Sequence, residues 1–140
     1  MGVRVGPQFD VAKLKAMLDA HIAAGGTSVD GDDATRLLDS QGANGMYWPR
    51  EGGPGTLILR SDARRLEVRE EFLHVEQYRL RGWPTTDPQI NPLLRIEIEI
   101  EAQTKLLQIA QNENWTKSEV LKIRANQRIW RMEYARMRRR

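Results

Sequence analysis

Residues 70–74 read Glu-Glu-Phe-Leu-His, and this short run carries most of the chemistry the sequence can suggest. On a helix, Glu70 and His74 are four residues apart and project from one face. Glu71 sits three before the histidine, to the side of that pair. A carboxylate and an imidazole at i,i+4 can share a metal ion. A glutamate at the second of the five positions can serve as a general base. A third ligand must then come from elsewhere in the chain. Helical zinc hydrolases take it from a later helix.

A candidate for that ligand lies about 25 residues on. Placed on a wheel, residues 93–111 put Ile98, Ile109, Ala102, Leu106, Ala110 and Ile96 on one continuous apolar arc. Glu97 and Glu101 fall outside it. Glu99 falls in its middle, with Arg95 and Gln103 beside it. A carboxylate in apolar surroundings is costly unless it is paired, hydrogen-bonded or bound to a cation. Two readings therefore stand side by side: a structural Arg95–Glu99 pair at i,i+4, or a ligand. The segment from Arg95 to Glu101 alternates like a strand, but good helix formers continue it without a breaker, which predicts a helix.

The elements that must position these residues are mostly helical. Asp10 can cap a helix from about Val11 to Ala24, with Val11, Leu14, Leu18 and Ile22 at core spacing and Gly25-Gly26 ending it. A short helix over about Asp32–Ser40 follows. Residues 41–56 hold five glycines and two prolines and read as loop. Thr56-Leu57-Ile58-Leu59-Arg60 reads as a short strand. Ser61 or Asp62 is the expected cap of a helix over about 63–81, stopped by Gly82-Trp83-Pro84. On that helix Leu66, Leu73 and Leu80 form one apolar seam and Val68, Phe72 and Val75 another. The broad polar stripe between them reads equally as a solvated face with a lone histidine. Pro92 opens the helix that carries Glu99. Thr116-Lys117-Ser118-Glu119 is a capping box opening a last helix to about Arg136.

Composition narrows the classes. The 140 residues are 40% hydrophobic and 29% charged, as in a globular protein. Cysteine is absent, which excludes disulfides, thiolate metal sites and a cysteine nucleophile. The two histidines, His21 and His74, exclude a three-histidine metal site within one chain. A di-iron centre needs a second Glu-x-x-His pair, and Leu18 stands three before His21. His21, late in its helix, reads as a dipole partner rather than a catalyst. No run is long and apolar enough to span a membrane, and the first residues lack the apolar core of a signal peptide. One domain over 1–140 is expected, with a helical part over 8–41 and a motif-bearing part over 42–140.

The residues of the strand 56–60, of Leu66 to Gln77 and of Glu99 to Gln103 together resemble the zincin-like metallopeptidase toxin domains found at the C-termini of bacterial polymorphic toxins. The resemblance covers roughly residues 40–137. It implies a mixed α and β fold, mostly helical, with a short sheet, an active-site helix and long C-terminal helices. It implies a protein substrate and a zinc ion, or manganese as the alternative, held by His74, Glu99 and Glu70, with Glu71 as general base. Tyr78, Arg95 or Gln77 would orient ligands or steady the oxyanion, and the strand 56–60 would offer an edge to an extended substrate. It also implies carriage at the end of a larger delivery protein, secretion into the cytoplasm of a competing cell, and a cognate immunity protein. Glu70 departs from the family pattern, which has histidine there. Two carboxylate ligands neutralise a dication and weaken its hold on a water molecule's electrons.

Two other functions compete. Residues 117–140 carry nine Lys/Arg against two Glu, a net of +7, whereas the whole chain is +3, which leaves −4 on residues 1–116. With Trp130 and Tyr134 among those arginines, the last helix could bind nucleic acid. The competing view is that Ile123, Trp130, Tyr134 and Met137 form a core-facing stripe. A degenerate zincin fold acting only through protein contacts is the third reading.

Overall fold

A computed structural model of the chain describes residues 4–139. It is a mixed α and β protein, predominantly helical. The chain divides into two compact units, Met1–Pro84 and Thr85–Arg140.

The first unit holds the sheet. Helix α1 spans Val11–Ala23, with Asp10 accepting the amide N–H of Lys13 at 2.8 Å as its cap. Strand β1 (Thr27–Val29) and helix α2 (Gly31–Gln41) follow, then strands β2 (Gly45–Arg50) and β3 (Gly53–Leu59), then helix α3 (Arg65–Leu80). The strand order is β1-β3-β2, with β1 parallel and β2 antiparallel to β3. Leu57, Ile58 and Leu59 of β3 are all buried. Successive side chains point to opposite faces. Ile58 accordingly packs with Ala34 and Leu38 of α2, and Leu59 packs with Leu14 of α1 and Val68 of α3. A strand covered on both faces reads as a continuous apolar run, as Thr56–Leu59 does.

Several expectations change here. The segment 41–56 is not loop: it contains all of β2 and most of β3. Because β3 lies between β1 and β2, residues 56–60 have no free edge to offer a substrate, and β2 is the edge on that side. Pro49 interrupts the β2 ladder where the register shifts between Trp48 and Arg50, a place a proline is tolerated on an edge strand. Neither Ser61 nor Asp62 caps α3. Arg64 does, its N–H donating to the Glu67 carboxylate at 3.0 Å. On α1, Leu14 is buried but Val11 and Ile22 are exposed. Their place on the inner face is taken by His21, which is buried and donates Nε2–H to the Gly55 carbonyl at 3.1 Å. Gly26 makes room for that ring, since a Cβ there would overlap it.

The second unit is a helical hairpin of α4 (Leu94–Asn112) and α5 (Lys117–Arg138). The strand-like alternation at 95–101 is helical, and Thr116 and Glu119 form the expected capping box. Ile96, Ile98, Ala102, Leu106 and Ala110 of α4 and Ile123 of α5 are buried. Gln127 donates to the Thr104 hydroxyl at 3.2 Å across the hairpin.

Candidate metal centre

Helix α3 is held by its first turn. Glu67 accepts from Arg4 at 2.8 and 3.0 Å as well as from the Arg64 amide. The Arg4 guanidinium, bonded first to Glu67 and then to Asp62, is held above its ordinary pKa. Glu67 is thus a structural carboxylate. This matters because the helix buries its polar stripe: Glu67, Glu71, His74, Gln77 and Tyr78 are all buried, while Leu80, assigned by spacing to an apolar seam, is 63% exposed. The solvated-face reading of that stripe is therefore set aside. A helix turned polar side inward needs polar partners for each of those groups.

The imidazole of His74 has one such partner on its own helix. Its Nδ1 lies 2.9 Å from Oε1 of Gln77, which is fully buried. A side-chain carbonyl oxygen can only accept, so Nδ1 carries the proton of this bond. Metal-ligating histidines are commonly fixed by such a bond from the second ring nitrogen.

Glu70, His74 and Glu99 form a group that could hold a metal ion: each offers one ligand atom, and these atoms all lie within 4.8 Å of one another. His74 is buried and the two glutamates are half-buried. The donor set fits a divalent ion. One neutral imidazole nitrogen and two carboxylate oxygens suit zinc or a harder cation such as manganese, and the two charges neutralise the ion.

The other expected site residues are placed as follows. Glu71 is buried, and its Oε2 lies where a Cβ on Gly45 would come within 3.3 Å. Its carboxylate therefore rests against the first residue of the edge strand β2. Tyr78 is buried, its ring 5.8 Å from that of Tyr47 on β2. Burial first, and Tyr78 second, push the Tyr47 hydroxyl above its ordinary pKa; it donates to the Pro54 carbonyl at 2.6 Å. Arg95 is exposed and lies over the Trp130 ring at 5.6 Å, a contact internal to the hairpin. Of the three candidates for orienting a ligand, Gln77 is the one bonded to His74. Gly45 was not foreseen. Its only signal was a glycine within a glycine-rich stretch. In α5, Ile123 is buried and Trp130, Tyr134 and Met137 are half-buried, as a core-facing stripe requires. Arg138 lies over the Tyr134 ring at 5.7 Å.

Compared with protein-family models, curated proteins and solved structures, the chain matches none.

Proposed function

We propose that the protein is a metal-dependent hydrolase that cleaves peptide bonds, with Glu70, His74 and Glu99 as ligands and Glu71 as general base. The grouping of one imidazole and two carboxylates within 4.8 Å is the observation that carries this reading. A bound divalent ion would act as a Lewis acid toward the scissile carbonyl and make a water easier to deprotonate. In this reading Glu71 takes the proton of the attacking water and returns it to the departing amine nitrogen. Burial against β2 keeps this carboxylate out of bulk water. Gln77 keeps His74 in the tautomer whose Nε2 can ligate. The outer edge of β2 offers backbone groups to an extended peptide, which would bind as a further strand.

The sequence resemblance supports a bacterial toxin as the biological setting, with a protein target inside the recipient cell and an immunity protein in the producer. The test uses purified protein loaded with zinc, and in parallel with manganese, incubated with a bacterial lysate whose new N-termini are mapped. Wild type should generate new termini. Glu71→Gln should lower their rate of appearance by roughly 10²–10⁴-fold while retaining the metal. No cleavage by metal-loaded wild type, or equal cleavage by Glu71→Gln, contradicts the proposal.

A further inference from the structure

Helix α5 presents a second surface that the proposed chemistry does not use. Leu121, Ile129 and Met132 are 55%, 60% and 66% exposed. At 100° per residue they fall with Ala125 and Ala135 on one stripe, opposite buried Ile123. Arg124 and Arg131 lie on one flank of that stripe, Arg128 falls within it between Ala135 and Leu121, and all three are exposed. None of the three pairs with a carboxylate among the described residues, whereas Arg136, which falls on the stripe between Ala125 and Ile129, pairs with Glu133. Two shallow grooves follow the face, one where Ile129, Met132 and Ala135 meet Glu133 and Arg136, the other where the three arginines meet Met132 and Ala135.

We infer that this face docks an acidic amphipathic helix of a protein partner. An apolar stripe with small residues admits the close approach of a second helix. A cationic flank selects a partner with carboxylates beside its own apolar seam, so charge complementarity and apolar burial act together. Nucleic acid would take the arginines but leave Leu121, Ile129 and Met132 in water. The aromatic rings it would stack on, Trp130 and Tyr134, lie under Arg95 and Arg138. A membrane surface would want large aromatic anchors on the stripe, where this helix has two alanines. From Leu121 to Ala135 the stripe runs for about four turns, which sets a partner helix of about 15 residues.

The probe is a labelled peptide of that length with leucines at three- and four-residue spacing and glutamates on the flanks. Binding is followed by fluorescence anisotropy at about 150 mM salt. The full chain should bind it. Met132→Asp, and separately the triple change Arg124→Glu, Arg128→Glu and Arg131→Glu, should each weaken binding roughly tenfold or more. All these positions are exposed, and unchanged circular dichroism and metal content confirm that the variants remain folded. The same peptide with lysines for glutamates should not bind. Failure of the acidic peptide to bind, or equal binding by Met132→Asp, overturns the inference. So does tighter binding to a random duplex or to phosphatidylglycerol vesicles, which would reassign the face to nucleic acid or membrane.

Discussion

Replacing Gln77 by methionine removes the acceptor bonded to His74 Nδ1. Methionine matches the length of glutamine but accepts no hydrogen bond of comparable strength. The site is fully buried and the bond is 2.9 Å long. Its loss leaves a buried Nδ1–H without this acceptor, which costs about 1–3 kcal/mol of stability. The same change removes this restraint on the ring's orientation and tautomer. Outer hydrogen bonds of this kind support metal affinity by about 10–100-fold, or roughly 1.4–2.7 kcal/mol. The two effects separate experimentally. Urea denaturation in excess chelator reads the cost to the fold. Competition for zinc against a chromophoric chelator reads the affinity of the folded protein. Gln77→Glu keeps an oxygen acceptor and adds charge toward the imidazole, so it should match or exceed wild-type affinity. If folded Gln77→Met binds zinc like wild type, or Gln77→Glu binds as weakly as Gln77→Met, then Gln77 does not position His74 as a ligand.

Two further predictions concern the first unit. The Tyr47 hydroxyl is held neutral in the fold beyond the range where an unfolded tyrosine, near 10, gives up its proton. Above about pH 10 the unfolded chain therefore binds fewer protons than the native one, and stability falls as pH rises, by at most about 1.4 kcal/mol per pH unit from this group. Tyr47→Phe should lose about 1 kcal/mol at pH 8 with its bond to Pro54 and then fall less steeply than wild type toward pH 11; parallel curves in urea titrations would refute this. Gly26→Ala would place a methyl group in the His21 ring. It should destabilise by at least about 1–3 kcal/mol, and His21→Ala in the same chain should recover part of that loss; strictly additive urea-denaturation values would show that the two residues do not share the space.

The helices were legible because their signals are local: the Asp10 cap, the Thr116–Glu119 box and the apolar arc of residues 93–111 each lie within one segment. The wheel also separated Glu99 from Glu97, which is exposed, and from Glu101, which faces Lys105 at 3.5 Å. The strands were harder. β1 is three residues long, and β2 carries a glycine and a proline that a strand interior would reject, yet it survives as an edge supported by pairing with β3. The orientation of α3 was not legible. Amphipathic arithmetic turns polar residues outward, and only tertiary context buries Glu67, Glu71 and Gln77 while exposing Leu80. Arg4 and Glu67, 63 residues apart, could not be matched from one sequence. The role of Gln77 was among several possibilities until its bond to His74 was seen.

The central claim is that Glu70, His74 and Glu99 hold one divalent ion. Purified protein is equilibrated with zinc or manganese, passed through a desalting column, and its metal content is measured by mass spectrometry. The account predicts about one ion per chain for wild type with at least one of the two metals, and a small fraction of that for folded His74→Ala and Glu99→Ala. Wild type that retains neither metal, or variants that retain as much as wild type, would contradict it.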